Sequence, residues 1–119
     1  MHSHQALAGR VLVLKPAGHI LGGSETDELV DLAREFAKRD HVAVLVDLDD
    51  VDYMNSLGLG ALARILVTCS RTSGSVKVCN VKGRVRKLFD VVKFHKLFDY
   101  HDSERSALDA LSKELASAV

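Results

Sequence analysis

Nowhere does the sequence hold eighteen consecutive apolar residues, so it offers no membrane-spanning helix. Its opening residues, Met1-His2-Ser3-His4-Gln5, lack the charged and apolar regions of a signal peptide. Cysteine is scarce: Cys69 and Cys79 stand ten positions apart, outside any Cys-x-x-Cys motif. Two such thiols read as small core residues, and they suit a reducing compartment, so the cytoplasm is the expected location. Proline occurs once, at Pro16, and hydrophobic residues make up 47%, which is the composition of a foldable globule and not of a disordered segment. Charge of one sign is also missing. Sixteen basic and sixteen acidic side chains cancel, which disfavours a globally basic nucleic-acid binder and an acidic tail.

What is present fits one domain over residues 1–119, with residues 1–8 frayed or forming a weak first strand. Strand-like and helix-like periodicities alternate, the mark of an α/β architecture. Val11–Leu14 reads as a strand ended by Pro16 and Gly18, and any strand over Ala6–Ala8 is weak. Ser24 is placed as the N-cap of a first helix, with Leu29, Leu32, Ala33 and Phe36 as its buried stripe. Val42–Leu48 is almost continuously apolar, as in a central parallel strand covered on both faces. Leu59, Leu62, Ala63 and Leu66 mark a second helix starting near Ser56 and broken at Thr72-Ser73-Gly74-Ser75. Val76–Val81 is a strand, and Val85, Leu88, Phe89 and Val92 are the stripe of a third helix. A short strand at Leu97–Tyr100 and a helix capped by Ser103 complete the order β-α-β-α-β-α-β-α. Right-handed crossovers then bring the loops after Leu48 and Val81 to one edge of a mostly parallel sheet, where function is expected.

The segment Asp47-Leu48-Asp49-Asp50-Val51-Asp52-Tyr53-Met54-Asn55-Ser56-Leu57-Gly58-Leu59-Gly60 carries the strongest signal. A buried strand runs into an acidic turn and then into a helix start capped by Asn55 or Ser56. Two glycines in a first turn are costly, at up to about 1 kcal/mol each. They suggest N–H groups open to a close neighbour, and a phosphate on Ser56 would meet the positive end of the helix dipole. Asn55-Ser56-Leu57-Gly58-Leu59-Gly60 after Val51-Asp52-Tyr53-Met54 resembles the phosphorylation loop of STAS domains, the anti-sigma factor antagonists. Gly18, the Val44–Leu48 strand, Val85-Arg86-Lys87-Leu88-Phe89 and Ser103–Leu108 extend the resemblance over nearly the whole chain.

The resemblance implies a STAS fold: a mixed, mostly parallel sheet of four to five strands with four helices. It implies no catalysis, no cofactor and no metal. Ser56 matches the serine phosphorylated by an anti-sigma factor that is also a serine kinase. The unphosphorylated protein binds that partner and frees the sigma factor; a phosphoserine phosphatase resets the switch. Asp52, Met54, Asn55, Leu57, Gly58 and Leu59 are the expected docking residues, joined by Arg84 and Arg86. A homodimer is a further partner state. Asn55 departs from an acidic position and Leu57 from a second hydroxyl residue, which leaves an alternative: a constitutive STAS scaffold or accessory subunit that is not phosphorylated.

Other constellations are weaker. Asp47, Asp49, Asp50 and Asp52 could form a magnesium site or a phosphatase nucleophile pair, against the plainer reading of a solvated turn. Six histidines lack zinc-site spacing, and no Gly-x-Ser-x-Gly elbow occurs. The zero net charge is itself a cancellation. Residues 1–60 carry 5 basic and 10 acidic side chains, and residues 61–119 carry 11 and 6. Arg84 and Arg86 sit in the first turn of a helix, where the dipole disfavours cations. Either could feel a phosphate on Ser56.

Overall fold

The computed structural model describes residues 2–71 and 75–117. Seven strands and four helices follow in the order β1 (His2–Ala6), β2 (Val11–Lys15), β3 (Gly18–Ile20), α1 (Ser24–Phe36), β4 (Ala43–Asp47), β5 (Val51–Met54), α2 (Ser56–Arg71), β6 (Ser75–Cys79), α3 (Gly83–Val91), β7 (Asp99–His101) and α4 (Glu104–Ser117). The main sheet runs β1-β2-β4-β6-β7; β1 is antiparallel to β2 and the other pairs are parallel. This is the expected mixed, mostly parallel sheet with four helices. β3 and β5 form a separate two-stranded parallel sheet.

Strand alternation divides the core in two. Leu12, Leu14, Val44, Val46, Val76 and Val78 face a large cluster that includes Leu29 and Phe36 of α1, Leu62 and Ile65 of α2, and Val85 and Phe89 of α3. Val11, Val13, Ala43, Leu45 and Cys79 point the other way, to Ala107, Leu111 and Leu115 of α4. β4 is therefore buried along its whole length, which is why its sequence shows no polar alternation. Ser103 caps α4 as expected, its Oγ accepting the Ser106 N–H at 3.1 Å.

Several local expectations are corrected. The first strand lies at His2–Ala6, not at Ala6–Ala8; Leu7 and Ala8 take left-handed φ of 52° and 59° and form the turn into β2. β1 is an exposed edge strand of polar residues, so it carries no apolar alternation to read. Ser24 is the first residue of α1 and not its cap. Gly23 precedes it with φ 91°, without a side-chain cap, and Thr26 Oγ1 instead accepts the Gly22 N–H at 3.1 Å. Val92 does not belong to the α3 stripe: α3 ends at Val91, Lys93 turns into left-handed φ, and Val92 is exposed. The short strand proposed at Leu97–Tyr100 begins two residues later. Thr72-Ser73-Gly74, read as the end of α2, lie outside the described residues.

Both cysteines are buried. Burial pushes the Cys69 thiol up to about 11 and the Cys79 thiol up to about 12, the latter helped by the Asp47 carboxylate. Neither is a ready nucleophile near neutral pH. A disulfide-based thiol reagent at pH 8 should label neither cysteine in the folded protein and both in urea, as read by absorbance or mass.

Candidate functional site

β5 ends at Met54, whose side chain is buried, and α2 begins two residues later at Ser56. Asn55 between them is the cap, and every polar group it has is used. Its Oδ1 accepts the N–H groups of Leu57 at 3.0 Å and Gly58 at 3.1 Å. Its backbone carbonyl accepts the Leu59 N–H at 3.0 Å, and its backbone N–H donates to Ile20 O at 3.2 Å. Its Nδ2 donates to the Leu21 carbonyl at 3.2 Å. The last bond needs an amide. A carboxylate there would cap α2 but set an oxygen against the Leu21 oxygen.

Gly58 explains one of the two glycines. A Cβ at that position would lie 2.6 Å from Ile20 O and 2.6 Å from Met54 Cγ, so α2 can lie against β3 only without a side chain there. Two N–H groups of the first turn, those of Leu57 and Gly58, are thus not open to an outside anion as expected, because Asn55 takes them. Gly60 is exposed with nothing near its missing Cβ.

The expected docking residues divide by orientation. Ser56 and Asp52 are exposed, and Leu57 is 62% exposed. Met54, Gly58 and Leu59 are buried and hold the loop from beneath, because α2 packs this edge of its first turn on β3 and β5; Met54 also lines a groove beside Ser56. Ser56 lines an open groove of about 390 Å³ between the β5–α2 junction and α3. Tyr53 and Asn55 form one side, and Arg84, Lys87, Leu88 and Val91 the other. The Arg84 guanidinium lies over the Tyr53 ring at 5.1 Å, and His19 meets the same ring edge-on at 5.9 Å. Arg86 is not part of the groove. It lies over Tyr100 at 5.3 Å and 3.7 Å from Asp90, on another side of α3.

Sequence reasoning missed Tyr53, Lys87 and Val91. The signal was available for two of them: Arg84, Lys87, Leu88 and Val91 stand at i, i+3, i+4 and i+7 and so share a helix face. Val91 at 78% exposure and Tyr53 at 38% give the groove an apolar rim.

The acidic turn is structural. Asp47 is buried; its Oδ1 accepts Asn80 Nδ2 at 2.9 Å and the Asp49 N–H at 3.0 Å, and Lys15 lies 3.6 Å from its Oδ2. Asp49 pairs with Lys82 at 2.7 Å, and that hydrogen bond and charge hold its carboxyl below the usual range. Among the described residues, no three His, Cys, Asp or Glu side chains converge as a metal site needs. Among those residues, too, no helix is long and apolar enough to cross a membrane.

A five-stranded mixed sheet with four helices, a small second sheet and a capped serine at a helix start defines an α/β interaction domain of recognisable type. The profile of the STAS domain matches residues 6–107, and the chain belongs to that family. An anti-sigma F factor antagonist of Paenibacillus polymyxa is 25% identical over 103 residues, covering 85% of this chain and 86% of that one. Among solved structures, an anti-sigma-factor antagonist (STAS) domain protein from Planctomyces limnophilus superposes with a TM-score of 0.76 at 16% identity, over 93% of this chain and 97% of that one. The anti-sigma factor antagonist SpoIIAA in its unphosphorylated form gives 0.75 at 15%, over 92% and 96%.

Replacing Asn55 by alanine should cost about 1–2 kcal/mol in urea unfolding. Asn55→Asp should cost about 1 kcal/mol, since it keeps the cap but loses the Leu21 bond and sets an oxygen against that carbonyl. Gly58→Ala should cost about 1–3 kcal/mol through overpacking against Ile20.

Proposed function

We propose that this protein is an anti-sigma factor antagonist, switched by phosphorylation of Ser56. The observation that carries the reading is the geometry of Ser56. It is exposed at the first residue of α2, held there by the Asn55 cap, and opens on a groove with an apolar rim. The unphosphorylated surface of Leu57, Tyr53 and Val91 is the docking face for an anti-sigma factor that is also a serine kinase. Binding it releases the sigma factor.

In the switching step, Ser56 Oγ attacks the γ-phosphorus of a nucleoside triphosphate held by the kinase. The bond from that phosphorus to the bridging oxygen breaks and the nucleoside diphosphate leaves. Asn55 carries no base, so the hydroxyl proton goes to a group of the kinase. The phosphate brings a charge of about −1.5 to −2 into the docking face, where repulsion and desolvation oppose binding. A phosphoserine phosphatase restores the hydroxyl. The chain itself supplies a surface and an acceptor, not catalysis.

A constitutive STAS scaffold or accessory subunit is the second reading, drawn from Asn55 and Leu57. The Nδ2 bond to Leu21 gives Asn55 a structural reason to be an amide, so its neutrality does not by itself favour the scaffold. Calorimetric titration of the cognate anti-sigma factor separates the two. Ser56→Ala should bind like the parent and Ser56→Glu at least about tenfold more weakly, a difference of about 1.4 kcal/mol. Equal binding by both variants would favour the scaffold and contradict the switch.

A further inference from the structure

On α3, Arg84 and Lys87 stand three residues apart and line the same groove as Ser56. Two neighbouring cations have carboxylates nearby: Lys82 has Asp49 at 2.7 Å and Arg86 has Asp90 at 3.7 Å. Among the described residues, neither Arg84 nor Lys87 has a carboxylate within ion-pair distance. Arg84 is also in the first turn of α3, where no acidic residue offsets the positive end of the dipole. Two cations without a carboxylate partner, one of them at the unfavourable end of the helix dipole, therefore line a groove that also carries the Ser56 hydroxyl.

Two of the N–H groups that could receive an anion at the start of α2, those of Leu57 and Gly58, are already given to Asn55 Oδ1. With those two taken, the cations of the groove are the counter-charge on offer to a phosphate on Ser56. Arginine supplies a planar fork and lysine a mobile point charge, a usual pair of donors for phosphate oxygens.

We infer that Arg84 and Lys87 form an intramolecular seat for the phosphate of phosphoserine 56. The phosphorylated side chain lies back into the groove and takes both cations out of the docking surface. Phosphorylation then acts in two ways: it adds charge, and it occupies part of the groove between Tyr53 and Val91. This rests on the reading of Ser56 as the phosphate acceptor, and it adds the groove that receives the group. Arg86 takes no part, since it faces Tyr100 and Asp90.

The test needs no kinase. Phosphoserine is installed at position 56 during translation by genetic code expansion, and its second ionisation is followed by phosphorus NMR. The same titration is run with Arg84→Gln, Lys87→Gln, both together, and Arg86→Gln. All of these side chains are exposed, so the variants should fold. The helix dipole is common to all five proteins and drops out of the comparison. A seat lowers the phosphate pKa in the parent by about one unit relative to the double variant, the lower end of the effect of close opposite charges. Each groove variant gives part of the loss, and Arg86→Gln titrates like the parent. Equal pKa values in the parent and the double variant would overturn the seat, as would an effect of Arg86→Gln as large as that of Arg84→Gln. Such a failure would leave the Ser56 switch standing if Ser56→Glu still weakened partner binding, so the two readings fail separately.

Discussion

The site depends on one residue that carries no charge. Asn55 closes the first turn of α2 with its carbonyl oxygen and, through its amide nitrogen, ties that turn to the Leu21 carbonyl at the end of β3. Its backbone N–H continues the contact at Ile20. Two regions distant in sequence therefore meet at one residue: the β3 exit and the junction of β5 with α2. Gly58 makes the meeting close, because any Cβ would strike the Ile20 carbonyl. With the Leu57 and Gly58 N–H groups held by Asn55, Ser56 is left exposed on the groove. A first turn with those N–H groups unpaired would be free to offer them to a phosphate.

The charge distribution follows the same logic. The neutral total conceals an acidic first half and a basic second half, and the fold brings part of each to one edge of the sheet. Much of that charge is spent on structure: Lys15 lies beside the buried Asp47, and Lys82 pairs with Asp49. What remains uncommitted around Ser56 is cationic, on an apolar rim. Such a surface can accept a partner and can also answer a phosphate. Exposed pairs contribute little to stability, so these cations matter for recognition more than for folding.

The architecture was legible because burial on both faces writes itself into β4, and helix faces write themselves into the stripes of α1 and α2. The start of α2 was legible because Asn55 or Ser56 offered a cap there; the role given to Ser56 comes from the resemblance. The rest was hidden for specific reasons. β1 is a polar edge strand, so nothing alternates in it. β3 has three residues, too few to show a period, yet it supplies the carbonyls that Asn55 and Gly58 require. The resemblance groups Met54 and Leu59 with the docking residues, although Leu59 also stands in the α2 stripe, and both are buried. Arg84 and Arg86 looked equivalent in the sequence; two positions on a helix are about 200° apart, and only one faces the groove.

Native-state amide hydrogen exchange at Leu57 and Gly58, measured in the parent and in Asn55→Ala, tests the constraint on which the site depends. The Leu62 and Ile65 amides in the body of α2 serve as the internal reference. Relative to them, the two first-turn amides should exchange about fivefold faster in the variant, the factor that corresponds to a cap of about 1 kcal/mol. Unchanged relative protection in Asn55→Ala would contradict the account, because those N–H groups would then not be held by Asn55 and the outward setting of Ser56 would need another cause.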